Sequence, residues 1–316
     1  MRLNKHIIAA AILWACILPS AKMSAHNRIT TADTTESTAP LFPELKLPSI
    51  PDTIKIPQQR ADYLLYHFWD NMDWSKSDLI SNDNFMEQNL ATYFDLFNHV
   101  SSGAIDKAVD NLLKQASVSS VAIDKIGSIA DLYLYDTQSP IMNEKHYRII
   151  VEKLLADKNI NEYRATILQA ALDDMSKNAE GTEATSFTFV LRNGNTTDLK
   201  DEINRKGRTI VLFYDPDCSD CAMVESLMQS NAKINSSIAD GALKVIAVCP
   251  YEVEKEDWAT HASTLPTNWT VGYSPDGEVD GDGIYVLRAT PTIFLLDSQG
   301  KVLEKDIRYE ILRDIL

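Results

Sequence analysis

The sequence is poor in cysteine, in basic residues and in long apolar runs. Its 316 residues include four cysteines, and 30 Lys and Arg stand against 45 Asp and Glu, so the formal charge is −15 at pH 7. So few cysteines exclude a scaffold stapled by disulfides. The acidic balance argues against nucleic acid or an anionic membrane surface as a partner. Beyond the N-terminal segment, no apolar run is long enough to span a bilayer.

Residues 1–25 are predicted to be a signal peptide. Arg2 and Lys5 precede an apolar run over residues 7–18, and small residues follow as possible cleavage sites. The run is too short for a comfortable membrane span. Removing the segment deletes three basic and no acidic residues, which moves the formal charge to −18.

Cys16 leaves a second interpretation of this segment open. The four residues that end at Cys16 partly match the lipid-attachment signal of bacterial lipoproteins, although Trp14 is bulky where a small residue is usual. The chain is therefore expected either to lose its signal and be released, or to be anchored to a membrane through a lipid on Cys16.

The remainder is long enough for two domains, each with its own core. Residues 26–57 are rich in Thr, Ser and Pro and are predicted to form an extended linker. Over residues 58–181, apolar side chains recur at helical spacing, which predicts an all-α domain. After Gly181 the pattern changes to short strands and alternating helices, which predicts an α/β domain over 182–316.

Two sets of side chains in the helical region are expected to be structural. Four aromatic residues lie close together and are expected in the core, with a ligand-binding surface as the alternative: Tyr66, Phe68, Trp69 and Trp74. Three histidines show no paired spacing of the kind that metal sites use: His67, His99 and His146. The helical pattern therefore predicts a bundle and supplies no chemistry.

The C-terminal half contains a cysteine pair at a strand-to-helix turn. An apolar run over residues 209–214 is typical of a buried strand, and helical spacing resumes after Cys221. Cys218 therefore lies at the start of a helix, where unpaired N–H groups and the helix dipole stabilise a thiolate, the reactive form of cysteine. The spacing of Cys218 and Cys221 lets the second thiol attack a mixed disulfide formed on the first.

A second stretch, around Pro291, reads as proline, strand, turn and strand. Together the two stretches resemble the thioredoxin-like superfamily, most closely its secreted TlpA-like and ResA-like branch. The resemblance implies an α/β fold, a central mixed sheet flanked by helices, following the all-α domain. It also implies that Cys218 and Cys221 are catalytic, and that a cis Pro291 and the backbone of Thr290 contact the substrate.

The resemblance implies a thiol-disulfide oxidoreductase that needs no cofactor or metal. Its substrate would be a disulfide or dithiol of a protein or small molecule, and its electron donor a periplasmic or membrane protein. The expected location is the periplasm, or the membrane surface if Cys16 is lipidated.

This sequence departs from the family pattern close to the thiols. Asp217 replaces the usual aromatic residue before the first cysteine, and Leu212 occupies the position of the buried acid of thioredoxin. Glu225 or Asp215 could replace that proton carrier. Carboxylates beside the thiols, including that of Asp220, disfavour the thiolate, which favours a reductase over an oxidase.

The helical region carries a resemblance of its own. Three runs are similar to an uncharacterised helical domain found ahead of thioredoxin-like domains in secreted bacterial proteins: residues 67–74, 132–140 and 177–181. The resemblance supports a domain boundary near Gly181 and a bacterial envelope setting.

Other interpretations remain open at this stage. The cysteine pair could be inert, in a non-catalytic binding protein that uses its helical domain, or it could be half of a metal site. Cys249 is expected to be a buried apolar side chain, with a third redox thiol as the alternative. The acidic loop after Ser274 fails the EF-hand pattern at Leu287 and is expected to be a surface loop.

Overall fold

The computed structural model describes residues 43–101, 103–281 and 283–316, which divide into two compact units between Arg164 and Ala165. The predicted signal peptide, Cys16 and the first part of the predicted linker lie outside the described residues. No helix in the described part of the chain is both long and apolar enough to cross a membrane.

The first unit is helical, as predicted. Its helices are α1 (Pro57–His67), α2 (Ser77–Ser81), α3 (Asp83–Asp95), α4 (Ala104–Ala116), α5 (Ser120–Ala130), α6 (Glu144–Leu155) and the start of α7 (Glu162–Ser176). A 3-10 turn (Leu96–His99) extends α3, and a π turn (Asp131–Tyr135) extends α5.

Polar side chains fix where these helices begin. Asn82, Ser119 and Asn143 each accept a hydrogen bond from an amide in the first turn of the helix that follows. Such caps satisfy N–H groups that have no partner within the helix.

The predicted aromatic core is correct for three of its four members. Phe68, Trp69 and Trp74 are buried, and the Trp69 and Trp74 rings are 5.2 Å apart. Tyr66 is 43% exposed, so its assignment to the core is wrong. It lies on α1 next to Leu65, which is fully buried, and adjacent helix positions point in different directions.

The end of the predicted linker packs on the first unit. Leu45 is buried, and the Asn71 side-chain amide donates a hydrogen bond to the carbonyl of Lys46 (2.8 Å). Pro57, assigned to the linker, is the first residue of α1, where its missing N–H costs no helical hydrogen bond.

The second unit is a seven-stranded mixed sheet with helices, which confirms the predicted fold class. Its strands are β1 (Thr188–Leu191), β2 (Thr196–Asp198), β3 (Arg208–Phe213), β4 (Leu243–Cys249), β5 (Thr270–Tyr273), β6 (Thr292–Leu296) and β7 (Val302–Glu304). Its helices after α7 are α8 (Leu199–Glu202), α9 (Ser219–Ser230), α10 (Ala232–Ala239), α11 (Lys255–Ala262), α12 (Glu278–Gly281) and α13 (Tyr309–Ile315).

The strand that leads to the cysteines lies inside the sheet, whose order is β2-β1-β5-β4-β3-β6-β7. β3 runs parallel to β4 and antiparallel to β6. Residues of β3 alternate between two apolar cores, with Ile210 and Leu212 in one and Val211 and Phe213 in the other. Burial on both faces therefore fixes the end of β3, where the cysteine turn begins.

A short segment after α7 binds along β7. The amide of Gly181 donates to the carbonyl of Val302 (2.8 Å), and the Val302 amide donates to Thr182 (2.9 Å). These contacts and the end of α7 belong to the second compact unit, which begins at Ala165. The domain boundary near Gly181 thus differs from the division by compactness, and it stays a prediction.

Asn178 fastens this segment to the loop that leads to Pro291. Its side chain donates to the carbonyl of Ile284 (2.8 Å) and accepts from the amide of Thr185 (2.7 Å). Asn178 is buried and has a φ of 47°, a conformation that asparagine tolerates better than most residues.

We expect Asn178→Ala to lower the free energy of unfolding of the second unit by about 2–3 kcal/mol, because two partly buried backbone groups lose their partners and alanine is strained at this φ. The measurement is hydrogen exchange of the β3 and β4 amides. Asn195→Ala, at an exposed position in the same unit, is the control. Equal protection in both variants would contradict the prediction.

Candidate functional site

Cys218 caps the helix that carries the cysteine pair. It precedes α9 with an extended backbone (φ −88°, ψ 118°), and its sulfur accepts a hydrogen bond from the Cys221 amide (3.2 Å). The side chain is partly exposed. An amide directed at sulfur, at the positive end of a helix, favours negative charge on that sulfur.

Cys221 lies on the inner side of the same turn and is fully buried. Its sulfur accepts a long hydrogen bond (3.5 Å) from the amide of Asp215. Burial raises the pKa of the Cys221 thiol to about 12. Both cysteines are free thiols, so the site combines an accessible outer sulfur with a shielded, protonated inner one.

The loop before β6 faces the outer sulfur. The Cys218 thiol lies 3.5 Å from the carbonyl oxygen of Thr290, and the Thr290–Pro291 peptide bond is cis. Arg288, in the same loop, forms a 2.6 Å ion pair with Asp306 that is mostly shielded from solvent. The structure thus brings the Thr290–Pro291 pair to Cys218.

Carboxylates surround the thiols on the solvent side. Asp217 and Asp220 are exposed, while Asp215 is half-buried and accepts a hydrogen bond from the Asp217 amide (2.9 Å). Leu212 is fully buried within an apolar cluster. None of these three aspartates therefore lies fully inside the core beside Cys221.

A buried acid, Glu225, lies further along α9. The sequence indicates its position on the helix but not the side chains that contact it. Glu225 is 3% exposed, and its carboxylate lies 3.1 Å from Nε2 of His261 on α11. The His261 ring stacks on Tyr214, whose hydroxyl accepts a hydrogen bond from Trp258 (3.0 Å). Position i+4 from Cys221 is the only sequence signal for Glu225, and nothing in the sequence links it to His261.

Cys249 ends β4 in the same apolar cluster as Cys221. Burial raises the pKa of the Cys249 thiol to about 11, so it stays protonated near neutral pH. Its sulfur lies 3.8 Å from the carbonyl of Tyr251. These surroundings are those of a buried apolar side chain.

Metal ligation finds no support in the described ranges. No group of three or more His, Cys, Asp or Glu side chains there could hold a metal ion.

A cleft of about 400 Å³ opens in the helical unit between α1 and the start of α4, lined in part by Tyr63, Tyr66 and Lys107. Asp62 lies in the wall of this cleft. The backbone amide and the hydroxyl of Ser101 each donate a hydrogen bond of 2.7 Å to one of its carboxylate oxygens.

Comparison with known proteins divides the chain into two parts. The family model described as a domain of unknown function (DUF5106) matches residues 20–178, and the model of a thioredoxin-like domain matches residues 196–308. A search of curated proteins gives no match.

Solved structures from Bacteroides are similar to this chain. A thioredoxin-like protein from Bacteroides caccae is 28% identical with a TM-score of 0.80, covering 87% of this chain and 98% of that one. A conserved protein of unknown function from Bacteroides fragilis is 36% identical over 43% of this chain and 97% of that one, with a TM-score of 0.41.

The first family model covers half of the chain, and the Bacteroides caccae structure matches nearly all of it. The chain therefore belongs to the family of the domain of unknown function DUF5106, here a helical region followed by a thioredoxin-like domain.

Proposed function

We propose that this protein is a thiol-disulfide oxidoreductase in which Cys218 is the nucleophile and Cys221 the resolving cysteine. One observation carries the proposal: a partly exposed sulfur caps α9 and accepts the amide of a buried thiol one turn inward. The thioredoxin-like domain that contains the pair supports this chemistry.

The two thiols act in sequence. The Cys218 thiolate attacks a substrate disulfide, forms a mixed disulfide and releases one substrate sulfur as a thiolate. Cys221 then loses its proton and attacks the Cys218 sulfur. A Cys218–Cys221 disulfide forms, and the second substrate sulfur leaves as a thiolate. The substrate gains two electrons and the protein loses two.

Substrate binding is proposed at the loop before β6. The carbonyl of Thr290 lies beside the attacking sulfur and can accept a hydrogen bond from the backbone of an extended peptide. Pro291 has no N–H to compete for that contact. The proposed substrate is a disulfide held in an extended segment of protein or in a small molecule.

Reduction is the proposed direction, in the cell envelope. The exposed carboxylates of Asp217 and Asp220 flank Cys218 in the sequence. Negative neighbours in general disfavour a thiolate, and a dithiol whose thiolate is less stabilised is a stronger electron donor. A periplasmic or membrane donor would return electrons to the pair. The protein would be periplasmic after signal cleavage, or anchored through a lipidated Cys16.

Replacing each cysteine separates the two steps. We expect Cys218→Ser to abolish reduction of a protein disulfide such as insulin, because no accessible nucleophile remains. Cys221→Ser should accumulate mixed disulfides on Cys218, detectable by mass spectrometry. Cys249→Ala, which leaves the pair intact, should retain activity. If both Cys218→Ser and Cys221→Ser reduce insulin like the wild type, the oxidoreductase proposal is wrong.

The direction is tested by equilibrating the pair with dithiothreitol and glutathione and trapping free thiols. We expect a potential nearer thioredoxin at about −270 mV than DsbA at about −120 mV. Asp217→Asn with Asp220→Asn should move the potential on the order of 15–30 mV toward oxidising values, because removing negative charge stabilises the thiolate. The control is Asp240→Asn, at an exposed position directly after α10, which should leave the potential unchanged. A wild-type potential near that of DsbA would contradict the proposal and indicate that the protein oxidises its substrate.

The shielding of Cys221 has its own pH signature. Burial raises its pKa to about 12, and the thiolate fraction of a thiol below its pKa rises about tenfold per pH unit. Alkylation of Cys221 in native Cys218→Ser should therefore still be accelerating above about pH 10, with no plateau. Unfolded protein, with an ordinary thiol of pKa about 8.5, should level off at about pH 10. A native plateau at that same pH would show that Cys221 is not shielded.

A further inference from the structure

An ion pair beside the thiols has no part in the two steps proposed above. Nη2 of Arg288 lies 2.6 Å from Oδ2 of Asp306, and the two side chains are 15% and 13% exposed. An ion pair shielded to this degree adds little net stability over apolar side chains of the same size, whereas loss of one partner leaves the other charge uncompensated. Such a pair is therefore better suited to fixing the position of two chain segments than to stabilising the fold.

The pair joins the loop that carries Thr290 to another part of the unit. Arg288 lies two residues before Thr290, and residues 286–291 form neither helix nor strand. Asp306 lies in the connector that follows β7 and precedes α13. Because residues outside helices and strands have no repeating backbone hydrogen bonds to hold them, their position depends on individual contacts such as this one.

The connector is fixed on both sides of Asp306. The amide of Ile307 donates to the carbonyl of Ile293 in β6 (3.1 Å), and the ammonium group of Lys305 donates to the carbonyl of Met175 (3.0 Å). Asp306 itself has a φ of 52°, a left-handed conformation that aspartate tolerates better than most residues. Its carboxylate thus offers the loop a fixed point of attachment.

Two further contacts of this loop do not replace the ion pair. The Thr292 hydroxyl donates to the carbonyl of Ala289 (2.5 Å), which closes a turn within the segment itself. The Asn178 side chain donates to the carbonyl of Ile284, six residues before Thr290. The ion pair therefore attaches the loop to another element closer in sequence to Thr290 than Asn178 does.

The position of this loop matters for the first thiol step. In the proposed reaction, the Thr290 carbonyl binds the substrate backbone while the Cys218 sulfur attacks, and the two groups lie 3.5 Å apart. A hydrogen bond weakens steeply outside a narrow range of distance and angle, and a displacement of about 1 Å can cost on the order of 100-fold in rate. Alignment of the substrate at the thiol therefore depends on what holds the loop.

We propose that Arg288 and Asp306 are positioning residues for substrate binding. Their ion pair holds the Thr290 carbonyl beside Cys218 and so determines how tightly an extended peptide disulfide binds. This inference rests on the proposed function, because it assigns what aligns the substrate for the first step. Neither charged side chain touches the substrate. The pair acts on substrates that have a peptide backbone, and not on small disulfides that lack one.

Two chromogenic probes separate backbone binding from thiol chemistry. Each is a mixed disulfide of nitrothiobenzoate, whose coloured thiolate is released when Cys218 attacks the other sulfur. One probe carries an extended cysteine-containing peptide, and the other carries mercaptoethanol, which has no peptide backbone. Reduced protein is mixed with excess probe in a stopped-flow instrument. The dependence of the first release on probe concentration gives a half-saturating concentration and a maximal rate.

We expect Arg288→Met to raise the half-saturating concentration of the peptide probe about tenfold, the worth of one backbone hydrogen bond, and to leave the maximal rate within about twofold. Release from the mercaptoethanol probe should stay within about twofold of wild type, because this probe makes no backbone contact. Asp306→Asn should act in the same direction on the peptide probe, since it removes the same ion pair.

Matched variants distinguish a positioning pair from a structural one. Arg288→Lys keeps the cation and should recover much of the peptide affinity. Arg288→Met combined with Asp306→Asn leaves no uncompensated charge, and it provides the test if a single variant does not fold. This double variant should bind the peptide no more weakly than Arg288→Met, because residues that act through one contact are not additive. Lys301→Met, which removes an exposed cation of the same unit, should leave both probes unchanged.

The outcomes separate the two proposals. If the wild type releases no more thiolate from either probe than Cys218→Ser does, the proposed function is wrong and this inference with it. If the wild type reacts but the double variant binds the peptide probe equally tightly, this inference alone is wrong. An equal loss of reactivity with both probes in the double variant would also overturn it, because the pair would then act on the fold or the thiol and not on the substrate backbone.

Discussion

The hydrogen bond from the Cys221 amide to the Cys218 sulfur is the contact on which the site depends. It places sulfur where a serine or aspartate oxygen usually caps a helix, and so fixes which thiol faces outward. The same turn directs the other thiol into the core. One local contact therefore sets the exposure of the two sulfurs and, in the proposed reaction, the order in which they act.

That turn is held in place because β3 is buried on both faces. Parallel pairing with β4 and antiparallel pairing with β6 fix its register, and a slip by one residue would exchange its two apolar faces. The loop that carries Thr290 and Pro291 leads directly into β6, the neighbour of β3. The sheet thus brings the thiols and the candidate substrate loop together although they are far apart in sequence.

Much of this arrangement follows from local sequence pattern. Apolar runs and helical spacing predict β3, β4, α9 and the bundle helices, because each pattern reports the face that one element buries. The prediction for Tyr66 is wrong because proximity in sequence to the buried Leu65 and Trp69 does not determine the direction of a side chain on a helix. The contact between Glu225 and His261 joins α9 to α11, and no local pattern encodes a pairing of that kind.

The segment that binds β7 has a consequence for the molecule's behaviour among its own copies. An uncovered outer strand offers free amides and carbonyls to the strand of another molecule, which is a common route to aggregation. Gly181 and Thr182 occupy those groups at Val302. At the opposite side, β2 is only three residues long and ends at Asp198. The described sheet therefore offers few free backbone groups for strand addition between molecules, so edge protection and negative charge both oppose aggregation.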